Sequence, residues 1–199
     1  APSISKRVIN KLKAKHHIKN NDFVFGMFAR KEKFSSQYCA LCAKLLKKLP
    51  NAKLILAGNG QNQTIIQYLK PYMEQNRAFI YGEINTGLLG YILHVGLDTF
   101  PYISGFSVME LMAKSKPIIS MRTYLHKGNH QRLRFNELVF DDQNALIKQM
   151  IEFATSPDLV RQYGKKSSDL LTRQFEHKPH NFCKIIDEQI ALIEQDKAP

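Results

Sequence analysis

The sequence predicts an α/β fold, a parallel sheet covered by helices on both faces. Three observations carry that prediction. Short apolar runs of strand length recur along the chain. Longer stretches with helical spacing of apolar residues separate them. Gly, Pro and Asn mark most of the joints. The strand-length runs are apolar throughout rather than alternating, which is the pattern of a sheet buried on both faces.

Phe23 to Phe28, FVFGMF, predicts the first strand. Phe34 to Leu49 has helical spacing, with Ser35 and Ser36 as N-cap candidates, and Pro50-Asn51 marks the turn. Lys53 to Ala57 predicts a second strand, ending at Gly58-Asn59-Gly60, and Gln63 to Glu74 a helix despite Pro71. Ala78 to Tyr81 is a third strand closed by Gly82, Thr86 to Leu93 a short helix, and Val95 to Thr99 a fourth strand. Val108 to Lys114 is a helix entered through Ser104-Gly105 and starting near Phe106, Pro117 to Ser120 a fifth strand, and Leu138 to Phe140 a sixth. Asn144 to Ala154, Pro157 to Phe175 and His180 to Ile193 read as helices, and the polar stretch Tyr124 to Phe135 as flexible.

These elements divide the chain into a basic N-terminal segment or linker (1–21), a core domain (22–178) and a C-terminal helix (179–199). Ligands of open parallel sheets bind at the carboxyl ends of the strands, near a switch point in strand order. Function is therefore expected in Ala29 to Lys33, Ala57 to Gly60, Gly82 to Asn85 and Phe100 to Ser107.

At 199 residues and 44% apolar, the chain is long enough to bury a core and too apolar to be disordered. No apolar run approaches the roughly 18 residues of a membrane span, and APSISKRVINKLKAKHH lacks the apolar stretch of a secretory signal. The first residue is Ala, which fits a fragment or a processed product. The net charge of +12 leaves three readings: a solvated Lys-rich surface, attraction to anionic lipid or phosphorylated ligands, or nucleic-acid binding. The dense basic stretch Lys6 to Lys19 has no interleaved aromatic ladder, so nucleic acid is the least supported partner. Three cysteines cannot all pair within one chain, and Cys39-x-x-Cys42 sits in an apolar helical run with no partner motif at zinc spacing. Buried core thiols in a cytoplasmic protein fit best, with peripheral membrane attachment as the alternative location. His94, His126, His130, His177 and His180 are scattered without metal-pair spacing.

The segment Leu97 to Ser120 is the most informative. A strand end, a Pro-containing loop and a small-residue turn lead into a helix whose first N–H groups have no partner inside it. Those groups and the helix dipole suit a diphosphate. Gly105 permits close approach, Phe106 starts the helix, and Ser107 adds a hydroxyl. Glu110, one turn in, is suited to accept hydrogen bonds from two ribose hydroxyls. An ordinary strand-turn-helix with a solvent-facing Glu accounts for the same residues.

Gly105-Phe106-Ser107-Val108-Met109-Glu110-Leu111-Met112-Ala113 followed by Lys116-Pro117-Ile118-Ile119 resembles the donor-site signature of GT-B glycosyltransferases. In their group-1 family the segment is a Gly-Phe-Gly-like turn, Glu-Ala-Met-Ala and Gly-x-Pro-Val-Ile; Glu110 falls on its Glu and Pro117 on its Pro. Leu97-Asp98-Thr99 is similar to the opening of the same loop in the O-GlcNAc-transferase family. Asn21 to Gly26, Leu49 to Gly60 and Ile80-Tyr81-Gly82 resemble further strands and turns of these enzymes, so the likeness runs from Asp22 onward.

The resemblance implies a Rossmann-like domain, one half of a GT-B fold, that binds the nucleotide-sugar donor as substrate and needs no metal or cofactor. It implies transfer of a sugar, from a UDP-sugar by preference, to an acceptor hydroxyl in polysaccharide or glycoconjugate biosynthesis. It further implies that an N-terminal acceptor-binding domain is absent from this chain, leaving the isolated chain inactive and its catalytic residues unassigned. Lys33 and Arg30 are implied as diphosphate contacts. They lie three residues apart where the group-1 pair lies five apart, and alignment on the O-GlcNAc-transferase pattern favours Lys33. A cation is needed physically, because a diphosphate carries about two charges and one helix end offsets only about half of one. The backbone of Gly82 and Ile84 is implied at the base. Tyr102 stands where the group-1 family has a second Glu, a departure from the standard retaining enzyme. Two readings from other classes are a non-catalytic glycosyltransferase-like partner-binding module and a basic nucleic-acid-binding domain.

Overall fold

The computed structural model describes residues 4–123 and 135–175. The expected flexible stretch, apart from Phe135, and the helix expected at 180–193 lie outside the described residues.

Six parallel strands form one sheet: β1 (Phe23–Phe28), β2 (Ala52–Ala57), β3 (Ala78–Tyr81), β4 (Val95–Leu97), β5 (Ile118–Met121) and β6 (Val139–Phe140), in the order β3-β2-β1-β4-β5-β6. The chain runs outward from β1 to β3 and then returns to place β4 on β1's other side. The switch point is therefore between β1 and β4, where Phe25 pairs with both Leu54 and Val95. Every residue of β1, β2, β4 and β5 is buried, as the continuous apolar runs require.

The helices are α1 (Lys6–Lys15), α2 (Ser36–Lys48), α3 (Gln63–Glu74), α4 (Thr86–Leu89), α5 (Phe106–Ala113), α6 (Gln143–Thr155) and α7 (Pro157–Phe175). α2 packs on α3 and α6, while α7 packs on α5 and α6. The α5–α7 side is tight at Gly164, where an added Cβ would stand 2.1 Å from the Ser115 carbonyl oxygen. No helix among the described residues is long and apolar enough to cross a membrane.

Three elements differ from the sequence expectation. The expected helix over 86–93 stops at Leu89. Asn85 caps its start through a 3.1 Å bond from the Leu88 N–H, and Gly90, a weak helix former, ends it where α5 presses close. The expected strand 95–99 ends at Leu97, because the Asp98 carboxylate turns the backbone into a loop. Residues 6–15, read as part of a basic segment or linker, form a helix capped by Ser5. Its Ile9 and Leu12 pack against the core, and His16 and Ile18 beyond it are buried. His16 Nδ1 lies within hydrogen-bond distance of the Tyr81 hydroxyl, and Lys53 donates to the His17 carbonyl, so the segment is tied to β2 and β3.

Cys39 and Cys42 are fully buried on one face of α2. Burial pushes the Cys39 thiol up to about 12 and raises Cys42 well above its ordinary value, the state of inert core thiols. Among the described residues no group of three or more His, Cys, Asp and Glu side chains is placed to hold a metal ion.

Candidate functional site

The carboxyl ends of β1, β2, β3 and β4 carry the four segments singled out in the sequence. After β1, the Ala29 N–H donates to the Ala57 carbonyl at 2.9 Å and the Lys31 N–H to the Asn59 carbonyl at 2.8 Å, so the first two segments lie side by side. Gly58 makes this approach feasible: its φ is +149°, and a Cβ there would come 1.8 Å from the Ala29 carbonyl oxygen. Residues 31–33 form a single 3₁₀ turn, which presents Arg30 and Lys33 beside each other.

The loop after β4 is built by Asp98, which is fully buried. Its Oδ1 accepts from the Thr99 and Ser104 N–H groups, both at 2.9 Å. The Thr99 hydroxyl donates to the Tyr102 carbonyl at 2.6 Å and lies 3.1 Å from the Ser104 hydroxyl. α2 braces the loop from the other side. The Tyr38 hydroxyl donates to the Leu97 carbonyl and Ser35 Oγ to the Phe100 carbonyl, at 2.9 and 2.6 Å. The loop is thereby fixed by six side-chain bonds.

This fixed loop delivers Gly105 to the N-cap of α5. The Val108 and Met109 N–H groups close on the Gly105 carbonyl, while those of Phe106 and Ser107 are left without an intrahelical acceptor. The Phe106 ring is 87% exposed, and Gly105 is exposed with nothing within 4 Å of an added Cβ. Lys33 Nζ reaches across the switch point and donates to the Ile103 carbonyl at 2.9 Å, two residues before Gly105. Arg30, Glu32, Lys33, Tyr102 and Ile103 line a recess of about 380 Å³, with Glu32 the one acid among them.

Glu110 is half-buried one turn into α5. Its Oε1 faces Lys114 Nζ at 3.2 Å, and its Oε2 accepts from the Thr86 hydroxyl at 3.3 Å. Thr86 follows the segment Gly82 to Asn85, so the loop expected at the base is bonded to the residue expected at the ribose. Gly82 is exposed, and Ile84 is half-buried against the core. Glu110 and Phe106 line a second depression, of about 610 Å³, walled by Leu171 and Phe175 of α7. The structure thus joins Lys33 to the mouth of α5 and Glu110 to the start of α4, but it does not gather all eight candidates into one recess.

Sequence reasoning set Asp98 at the opening of this loop without seeing that its carboxylate holds the loop, and it missed Thr86. An acidic residue ending an otherwise apolar strand was the available signal for Asp98. Thr86 gave none, because its partner is 24 residues away.

No protein-family model matches the chain, and no curated protein does. Among solved structures, the chain is similar to Anabaena HepE in complex with UDP and glucose, with a TM-score of 0.73 and 16% identity over 94% of this chain and 53% of that one. It is similar to the sucrose-phosphate synthase of Thermosynechococcus elongatus, with a TM-score of 0.70 and 15% identity over 92% of this chain and 49% of that one. It is also similar to a mutant O-GlcNAc transferase of Thermobaculum terrenum, with a TM-score of 0.66 and 20% identity over 89% of this chain and 37% of that one. The fold is that of a GT-B glycosyltransferase domain, a Rossmann-like α/β sheet. The chain spans about half or less of the length of these neighbours.

Proposed function

We propose that this chain is the donor-binding domain of a glycosyltransferase that transfers a sugar from a UDP-sugar to an acceptor hydroxyl. The observation that carries the reading is the bond from Lys33 Nζ to the Ile103 carbonyl. It stands a cation beside the start of α5, where the Phe106 and Ser107 N–H groups lack intrahelical acceptors. Cation, helix dipole and free amides together match a diphosphate, which neither the helix end nor a single lysine neutralises alone. Arg30 beside Lys33 supplies the second positive charge.

In this reading Glu110 exchanges its Thr86 contact for the ribose hydroxyls, with Lys114 keeping the carboxylate oriented. The backbone around Gly82 and Ile84 reads the base edge. Pre-organised donors at the diphosphate stabilise the charge that develops on the leaving nucleotide. The acceptor-binding domain would be contributed by residues outside these 199, which would also complete the cleft and supply any general base. The match to a UDP-bound neighbour supports uracil as the base.

NMR titration of the chain with UDP, GDP, ADP and CMP tests the reading. UDP is expected to shift the amides of residues 30–33 and 105–110 selectively and to bind weakly, since half the cleft is missing. No shift from any of the four at millimolar concentration would overturn it.

A further inference from the structure

The sheet has a second recess, at the opposite end from the proposed donor site. A cavity of about 530 Å³ opens where β1 begins and just ahead of β4 and β5, lined among others by Asp22, His94, Lys116 and Arg161. Its size suits a small metabolite.

Its chemistry is unbalanced toward donors. Lys116 Nζ, largely buried, donates to the Tyr91 carbonyl at 3.1 Å, and no carboxylate among the described residues pairs with it. An ammonium has three donors, so two are unspent among the described residues. His94 Nδ1 accepts from the Val24 N–H at 2.8 Å. In the neutral ring the other nitrogen then carries the proton, and no described residue accepts from the Nε2–H. Asp22 is the one acid on the wall, and its Oδ2 is engaged by Lys53 Nζ at 3.4 Å and the Lys19 N–H at 2.7 Å. Arg161, at the rim, is paired with Asp158. Burial together with Lys13 and Lys114 pulls the Lys116 amine down to about 8, the response of a cation with no counter-charge. The same burial, with Lys116 and Lys13 nearby, lowers His94 to about 4 and keeps it neutral.

A buried cation without an anion is costly unless something supplies one. We propose that this recess is a binding site for a phosphate group, held by Lys116 Nζ and the His94 Nε2–H, and separate from the donor site. Free phosphate and the monoester of a small phosphorylated sugar share this chemistry. The volume left beyond a single phosphate leaves room for the sugar.

The test is a titration of the 199-residue chain with inorganic phosphate and with a hexose monophosphate, followed by amide NMR. Saturable shifts are expected at Val24, Val95 and Lys116. Lys116→Met is expected to weaken binding roughly tenfold or more, while Lys116→Arg retains it and Lys33→Ala leaves it unchanged. Tighter binding of the hexose monophosphate assigns the metabolite, and equal binding assigns free phosphate. A second readout, independent of variants, is acylation of Lys116 near pH 8, which phosphate is expected to slow. The proposal is overturned by non-saturable shifts, which mark an adventitious ion only. It is equally overturned by binding that survives Lys116→Met or is lost in Lys33→Ala, or by acylation indifferent to phosphate.

Discussion

Lys33 Nζ and the carbonyl oxygen of Ile103 lie 2.9 Å apart, and this single bond ties the turn after β1 to the loop that opens α5. The lysine keeps two further N–H donors for a ligand. Lys33→Ala is therefore expected to weaken UDP binding by about 1–3 kcal/mol, the range for a hydrogen bond to a charged group. Uridine, which has no phosphate, is expected to lose far less. Calorimetric titration of both ligands checks this, and equal losses would mean that Lys33 does not touch phosphate.

Asp98 holds the same loop from within. Asp98→Ala leaves the buried N–H groups of Thr99 and Ser104 without an acceptor, at about 1–3 kcal/mol for each. Urea denaturation is expected to show a loss of about 2–6 kcal/mol with little change in slope. Asp98→Asn retains an acceptor oxygen and is expected to cost clearly less. Equal losses for the two variants would show that the charge of Asp98, rather than its hydrogen bonds, holds the loop.

His94 gives the fold an acid-side dependence of its own. Its folded value, about 4, is depressed below the ordinary 6.5, because burial first and the cations Lys116 and Lys13 next disfavour the imidazolium. The unfolded chain thus binds the proton more readily. The stability tied to the neutral ring is complete above about pH 6.5 and is lost as pH falls toward 4. Protonation also takes from Nδ1 the lone pair that accepts the Val24 N–H. The loss is on the order of 2 kcal/mol. Unfolding free energies of wild type and His94→Gln, compared between pH 7 and pH 4, are expected to converge as pH falls. Parallel curves would contradict the assignment.

How far the sequence revealed this molecule depends on whether the cause was local. The strands of the sheet were legible because burial on both faces demands continuous apolar runs, as in Phe23–Phe28 and Ala52–Ala57. α7 was read to the residue because Pro157 starts it and its spacing is regular. α1 was missed because its apolar face is only Ile9 and Leu12 among lysines, and its docking depends on His16 meeting Tyr81, 65 residues on. Within the site, the small-residue entry to α5 was visible as composition. The bonds from Lys33 to Ile103 and from Thr86 to Glu110 were not, because each joins segments that only the sheet brings together. The same holds for the amino-end recess, where His94 was seen only as a lone histidine.

The donor-binding reading stands or falls most directly on Glu110. Its Oε2 accepts from Thr86 and its Oε1 faces Lys114, so both oxygens are oriented before any ligand arrives. If they receive the two ribose hydroxyls, Gln keeps one acceptor and presents a donor to the other hydroxyl. Glu110→Gln is then expected to lower UDP affinity on the order of tenfold, about 1.4 kcal/mol. A UDP analogue lacking both ribose hydroxyls is expected to bind wild type poorly and to lose little more in the mutant. Affinities of the two proteins for the two ligands form a cycle that measures this coupling directly. A coupling near 1 kcal/mol or above is the predicted result; strictly additive losses would contradict the account.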